Sequence, residues 1–261
     1  MIKINRSIFL LVLVSFLSVS GLCAQEKTTL KVLCYNLRFG ELASLEELAR
    51  FIKTENPDVV ALQEVDVNTH RERAPRQNGK DFITELGFRT GMLSIYGKTI
   101  SYAGGYYGIG ILTKYPYNSV KKTLLPMPEG AKEQRAYLVS QIELPGNKIL
   151  NFVCTHLDYT TSEVRQAQVK AINDDLLKSD VPTVLCGDFN AEPASREIAE
   201  GMQSWLQATN MDLTIPAKSP TSKIDYIFCY PQNKWKVLDA KTPKVQLSDH
   251  LPVVATLELS Y

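Results

Sequence analysis

The sequence predicts an α/β fold in which two β-sheets pack face to face beneath flanking helices. Three observations predict it. Runs of β-formers alternate with helix-spaced segments in both halves of the 261-residue chain. Consecutive strands in the middle are joined by short turns, the mark of antiparallel hairpins. Five apolar runs close on Asn, Glu, His or Asp, which places polar chemistry where a rigid sheet can aim it into a cleft. A hydrophobic content of 44% supports a sizeable core. Residues 25–261 fit one domain, since layered folds of this kind reach such a length as single units.

The elements follow in order. Thr29–Tyr35 is a predicted strand. Ser44-Leu45-Glu46-Glu47 is a capping box that opens a helix running toward Asn56. Pro57 stops it, and Asp58–Leu62 returns as a strand. Asp81–Leu86 is a short helix ending at Gly87, followed by β-rich segments at Phe88–Ile95, Tyr106–Thr113 and Tyr117–Leu124. Pro145-Gly146-Asn147 turns Ala136–Leu144 into Lys148–Cys154 as a hairpin. Thr161–Lys178 has helical spacing, Thr183–Cys186 is a strand, and Ser195–Trp205 reads as another helix. Asp225–Cys229, Trp235–Ala240 and Val253–Leu259 complete the strands.

The first 24 residues stand apart. Lys3 and Arg6 precede an apolar run over Ile8–Val19, and Ala24 supplies a small residue before Gln25. This reads as a cleaved secretory signal; the run falls short of the ~20 apolar residues that span a bilayer. A secreted or periplasmic protein without an integral membrane span is therefore expected, with retention as a membrane anchor the lesser alternative. Removing Lys3 and Arg6 takes Lys+Arg from 29 to 27 against 28 acids, a net charge of about −1. A protein that grips long nucleic acid normally carries a basic excess. The basic cluster Arg71, Arg73, Arg76 and Lys80 reads as a solvated loop, and His70 beside it as a loop residue at the cleft rim.

Cys34, Cys154 and Cys186 each precede a polar strand-end residue by two, at Asn36, His156 and Asp188. Period-two geometry sets each thiol on the same face, one step deeper. They are expected to be small buried groups flooring a site, with an interstrand disulfide as the rival. No Cys-x-x-Cys pair suggests a thiolate metal centre.

The polar residues have the composition that phosphate-ester hydrolysis requires: carboxylates for a hard cation, imidazoles for protons or an oxyanion, amides for phosphoryl oxygens. Each also has an ordinary structural reading. Glu64 could cap a helix, Asn36 and Asp249 could sit in turns, and Asp188 and Asn190 could form an Asx turn after a strand. His156 and His250 could be satisfied core histidines. Arg135 could clamp a phosphate or be an edge charge, and Tyr107 could line a ligand or be a strand aromatic.

Taken together, Asn36, Gln63-Glu64, Gly105-Tyr106-Tyr107-Gly108, Gln134-Arg135, Thr155-His156, Gly187-Asp188-Phe189-Asn190, Ile224-Asp225-Tyr226 and Ser248-Asp249-His250-Leu251-Pro252 resemble the endonuclease/exonuclease/phosphatase superfamily of metal-dependent phosphohydrolases. The resemblance implies a four-layer α/β/β/α sandwich of two packed mixed sheets flanked by helices. It implies that Glu64, with Asn36 and Asp249, holds Mg²⁺ or Mn²⁺. Asp188 with Asn190 would orient and deprotonate an attacking water. His250, backed by Asp225, is a rival base, and His156 would stabilise the pentavalent state or protonate the leaving group. Asn190, Arg135 and Tyr107 would contact substrate. The near-neutral charge and compact size favour a phosphodiesterase for a small or lipid-linked phosphodiester, and a monomer is expected. A secreted nuclease on DNA or RNA, and a phosphomonoesterase on a sugar or inositol phosphate, are the alternatives; a non-catalytic binding protein ranks last.

Overall fold

The structure, a computed structural model, describes residues 27–261; the expected signal segment, 1–24, lies outside them. The first half contains β1 (Lys27–Asn36), α1 (Leu45–Glu55), β2 (Val59–Val67), α2 (Phe82–Thr90), β3 (Leu93–Tyr102), β4 (Gly105–Thr113) and β5 (Tyr117–Leu124). The second contains β6 (Ala136–Leu144), β7 (Lys148–His156), α3 (Ser162–Leu176), β8 (Thr183–Asp188), α4 (Arg196–Ala199), β9 (Leu206–Gln207), β10 (Asp225–Tyr230), β11 (Trp235–Lys241) and β12 (Val253–Ser260).

One sheet runs β11-β12-β1-β2-β4-β3 and the other β5-β6-β7-β8-β10-β9. Each is built around a single parallel pair, β1 with β2 and β7 with β8. A parallel pair needs a crossover, and here α1 and α3 supply it. The other pairings are antiparallel. Apolar side chains divide into three layers. Val32, Ile111, Leu138, Phe152 and Ile227 pack between the sheets. Leu33, Leu48, Ile52, Phe82 and Leu112 pack under α1 and α2. Val153, Ile172, Leu185 and Phe189 pack under α3 and α4. Strands alternate side chains between faces, so central strands apolar on both faces demand cover on both. The result is the four-layer α/β/β/α sandwich of two mixed sheets.

Local sequence explains the helix that starts this arrangement. The Ser44 hydroxyl accepts from the Glu47 N–H at 3.3 Å, and the Glu47 carboxylate accepts from the Ser44 N–H at 2.8 Å. Asn56, left-handed at φ 51°, ends the helix. Several boundaries differ from the sequence reading. The β-rich segment expected at Phe88–Ile95 starts only at Leu93 and runs on to Tyr102, because Phe88–Thr90 close α2. The helix expected to stop at Gly87 continues to Thr90, because Gly87 lies against Ser94, where a Cβ would come within 2.8 Å of that side chain. Gly91, left-handed at φ 73°, is the true cap. The helix expected over Ser195–Trp205 is only Arg196–Ala199, followed by turns. The strand expected to end at Leu62 continues to Val67 through a register shift between Leu62 and Val65.

The four cysteines of the described residues are free and buried, and they belong to the layer between the sheets. Cys154 and Cys186 are register partners yet unbonded. Burial pushes all four thiols up, so they remain neutral.

Gly187 sets the closest approach in the second sheet: a Cβ there would lie 2.4 Å from the Thr155 carbonyl oxygen. Gly187→Ala is therefore expected to cost about 1–3 kcal/mol, the usual range for overpacking, read as a lower midpoint in thermal or urea unfolding. An unchanged midpoint would contradict the packing described here.

Candidate active site

The two parallel pairs end at the same place. Asn36 closes β1 opposite Gln63 of β2, and His156 closes β7 opposite Asp188 of β8. Asp225 opens β10 and faces Asp188 in the antiparallel register. The segment carrying His250 is tied down by two backbone bonds, Ala217 N–H to Asp249 O at 2.6 Å and Leu251 N–H to Thr214 O at 2.7 Å. Carboxyl ends of parallel strands are where open α/β sheets place ligands, and here two such ends meet across the sandwich.

Glu64 reaches this meeting point through the bulge in β2. Its backbone is left-handed, φ 54°, a conformation that costs a non-glycine residue of order 1 kcal/mol or more. A bulge re-aims one side chain without ending the ladder. That explains why a strand extending beyond Glu64 can still deliver it to the site.

Asp188 is the vertex. Its Oδ1 accepts from the Asn190 N–H at 2.9 Å, so the Asx turn is present. Its Oδ2 is left for the site. Asn36 Nδ2 donates to Asp188 Oδ2 at 3.0 Å and also to Glu64 Oε1 at 3.1 Å, bridging the carboxylates of the two sheets. His156 Nε2 and His250 Nε2 lie 3.5 and 3.6 Å from the same Oδ2. Asp188 is 1% exposed, and burial pushes its carboxyl up to about 6, with Asp225 adding to the rise and His250 opposing it.

The two histidines are set in opposite states. Arg135 Nη1 lies 2.9 Å from His156 Nδ1. A guanidinium can only donate, so Nδ1 accepts and the proton sits on Nε2, facing Asp188. Burial, Arg135 and His250 all push His156 well below its usual range, which keeps it neutral. His250 Nδ1 instead lies 3.0 Å from Asp225 Oδ2. Burial pushes that imidazole down, but Asp225 and Asp188 together raise it to about 9. It is therefore charged at neutral pH.

The residues expected around a cation are not equivalent. Among the described residues Glu64 has one hydrogen-bond partner, Asn36, and no cationic partner, leaving Oε2 free. The Asn36 carbonyl is oriented by the Arg38 N–H at 2.9 Å, so its amide spaces Glu64 from Asp188. Asp249 is paired with the Arg38 guanidinium. Asp188, Asp225 and His250 also offer ligand atoms within 4.8 Å of one another, with His250 Nδ1 facing Asp225 and Nε2 facing Asp188. Mg²⁺ needs only one or two carboxylates beside water and substrate phosphate, and the free Glu64 oxygen fits that demand.

Arg135 and Tyr107 lie behind the reacting groups. Arg135 is buried among His156, Glu133 at 3.0 Å and the Tyr107 hydroxyl, so its visible role is to orient His156. Asn190, left-handed at φ 49°, gives Nδ2 to the Leu157 carbonyl at 3.0 Å. Phe189 turns away from the site into the core under α3 and α4 and meets Tyr226 and Phe228 edge-on at 5.5 and 5.3 Å. The cysteine floor is present: Gln63, fully buried, sits between Cys34 at 3.6 Å and Cys154 at 3.3 Å.

Sequence reasoning missed Arg38, which ties Asn36 to Asp249, and Lys223. Lys223 is 1% exposed, donates to the Asp225 carbonyl at 3.2 Å, and is pushed down to about 8 by burial despite the pull of Asp225. The available signal was its position two residues before Asp225, hence on the same side of an extended chain. Asp158 binds the Thr160 N–H at 2.8 Å, Arg165 binds Glu197 at 2.6 Å, and Thr161 is the cap of α3.

Comparison with solved structures agrees with this architecture. An endonuclease/exonuclease/phosphatase protein from Bacteroides vulgatus is 22% identical, covering 89% of this chain and 99% of its own, with a TM-score of 0.73. A mannosyl-6-phosphatase from Bacteroides thetaiotaomicron is 16% identical over 87% of this chain and 99% of its own, TM-score 0.69. The human nocturnin catalytic domain with bound sulfate is 19% identical over 89% of this chain and 97% of its own, TM-score 0.67. At these identities the likeness is one of fold. The sequence itself matches the family profile from residue 33 to residue 250, a span that begins just before Asn36 and ends on His250, and the chain belongs to the Endonuclease/Exonuclease/phosphatase family of phosphoric ester hydrolases.

Proposed function

We propose that this protein is a Mg²⁺- or Mn²⁺-dependent phosphodiesterase that hydrolyses a small or lipid-linked phosphodiester by in-line attack of water. The observation that carries the reading is the buried Asp188 oxygen shared by Asn36, His156 and His250, next to a Glu64 carboxylate with one oxygen free. Glu64 would hold the cation, with Asn36 and Asp249 alongside. The metal, when bound, supplies charge neutralisation at the phosphoryl and leaving oxygens.

Asp188 is the base in this reading. Its raised proton affinity suits the removal of a proton from water near neutral pH, whereas His250 is already protonated. The His250 cation, fixed by Asp225, faces the oxyanion side. His156, neutral with its proton on Nε2, donates a hydrogen bond to a phosphoryl or leaving oxygen. Asn190 keeps its second amide hydrogen for a phosphoryl oxygen. A diester suits this inventory better than a dianionic monoester, because Arg135 is spent on His156 and Glu133. A nuclease groove is less well supported: Arg71 and Arg73 are held by Asp66 and Glu41.

Asp188→Ala should lower kcat on the best diester by about a hundredfold or more, the usual weight of a positioned base, while circular dichroism stays unchanged. Wild-type-like turnover would remove its assigned role. EDTA should abolish activity and Mg²⁺ or Mn²⁺ restore it; Glu64→Gln should raise the metal concentration needed for half-maximal rate at least tenfold. Metal-independent turnover would refute the cation site. In ¹⁵N-histidine NMR, His156 should show the Nε2–H tautomer at pH 7, and Arg135→Met should mix the tautomers and slow kcat. A single unmixed tautomer in that variant would show that Arg135 does not set it.

A further inference from the structure

A cavity of about 290 Å³ is lined by Phe39, His70, Arg71, Glu72, Arg73, Tyr102 and Ala103. Contacts link it to the reacting groups on two sides. The Arg71 guanidinium lies 5.2 Å from the Tyr107 ring, and Tyr107 bonds Arg135, which holds His156. Phe39 follows Arg38, whose N–H fixes Asn36. The cavity is thus linked to the Asp188 vertex through Tyr107, Arg135 and His156 on one side and through Arg38 and Asn36 on the other.

Its walls are rigid. Arg71 is clamped by Asp66 through two bonds, at 2.6 and 3.0 Å, with its guanidinium over the Phe39 ring at 4.1 Å and over the Tyr102 ring at 4.3 Å. Arg73 is clamped by Glu41 at 3.0 and 2.7 Å. The His70 N–H bonds the Ala103 carbonyl at 2.8 Å. Strain gathers here as well. Among the described residues four that are neither Gly nor Asn have positive φ: Arg38, Phe39, Glu64 and Ala103. Two of them line this cavity: Ala103, whose positive φ belongs with Gly104 to the two-residue β3–β4 hairpin turn, and Phe39, which lies in no such turn. Left-handed backbone at a bulky residue persists where the surroundings enforce it, typically at ligand clamps.

The chemistry of the walls selects the ligand. The two guanidinium charges are already balanced by Asp66 and Glu41, so the cavity is no trap for a second phosphate. Tyr102 is 47% exposed, so part of its ring stays open beside the Arg71 guanidinium that covers it at 4.3 Å, with polar groups from His70, Glu72 and Arg73 around it. An aromatic platform with a polar rim of balanced charge suits a neutral polyhydroxylated ring, its C–H face on the aromatic and its hydroxyls on the rim. Drug-sized ligands fill pockets of roughly 300–1,000 Å³, and this one holds about a single ring.

Resting on the phosphohydrolase reading above, we infer that this cavity is the subsite for a neutral sugar or cyclitol ring carried by the phosphate ester. The test uses matched pairs with Mg²⁺: glycerophosphoinositol against glycerophosphoethanolamine, and glucose 6-phosphate and mannose 6-phosphate against ethyl phosphate. The ring-bearing member of at least one pair should have a kcat/KM at least tenfold higher. Tyr102→Ala and Glu72→Ala should each raise its KM about tenfold with kcat within threefold, leaving the ringless partner unaffected. Equal kcat/KM within every pair, or equal losses on both members, would overturn the subsite. Should no ester be turned over, the phosphohydrolase reading fails separately. Calorimetry of the same probes on Mg²⁺-loaded wild-type protein then decides: ring-selective binding lost in Tyr102→Ala upholds the subsite, and absent or non-selective binding overturns it.

Discussion

The constraint on which the rest depends is the burial of Asp188. A carboxylate removed from water is costly unless donors replace its hydration. Here one oxygen takes the Asn190 N–H, and the other takes the Asn36 amide and faces two imidazole Nε2 atoms. Asn36 belongs to one sheet and Asp188 to the other. Their bond therefore joins the sandwich at the end where apolar packing stops. Because the same amide also binds Glu64, the distance between the two catalytic-type carboxylates is set by one side chain. That amide is itself oriented by a backbone N–H from the next turn.

Around this vertex, two identical side chains acquire opposite properties from their neighbours. His156 faces a guanidinium and stays neutral; His250 faces a carboxylate and carries charge. Groups whose environments push their proton affinities apart are the usual sign of divided labour. Lys223 contributes from below. A buried ammonium near Asp225 offsets part of the negative charge that Asp188, Asp225 and Glu64 place in one region. The thiol floor adds bulk without charge, so the field at the cleft is set by the polar residues alone.

Much of this was legible in the sequence because period-two alternation links depth to position. Cys34, Cys154 and Cys186 pointed to a floor because each sits two residues before a site residue, and the hairpin at Pro145-Gly146-Asn147 followed from turn chemistry. The convergence of Asn36, Glu64, His156, Asp188, Asp225 and His250 followed from strand ends and the family resemblance together. What was not legible depends on tertiary contact. Nothing local marks Gly87 as a packing glycine rather than a helix stop; Ser94 decides it. Nothing local distinguishes Arg135 as a phosphate clamp from Arg135 as a histidine orienter, because the difference is whether β7 brings His156 within reach of the start of β6. The bulge at Glu64 is likewise a property of the β2–β4 pairing, absent from either strand read alone.

The distribution of backbone strain separates the parts of the molecule that set chemistry from those that set recognition. Asn56 caps a helix, and Asn68 and Asn147 lie outside the helices, where asparagine adopts a left-handed conformation at little cost. Arg38, Phe39 and Glu64 have no such excuse, and with Ala103, which shares the two-residue β3–β4 hairpin turn with Gly104, they border the carboxylate pair and the Tyr102 cavity. Strain of this kind survives only where surrounding bonds over-determine it, and here they do: Arg38 through Glu41 and Asp249, Phe39 through Arg71, Ala103 through His70. The same ion pairs that neutralise Arg71 and Arg73 also hold that border rigid. A wall rigid and charge-balanced before any ligand arrives loses little freedom on binding and discriminates by shape and hydroxyl pattern rather than by net charge. The reacting centre, by contrast, is built to stabilise charge. On the proposed subsite, recognition and chemistry use different physics on adjoining walls of one cleft, and Arg38 belongs to both, since its N–H fixes the Asn36 amide that holds Asp188.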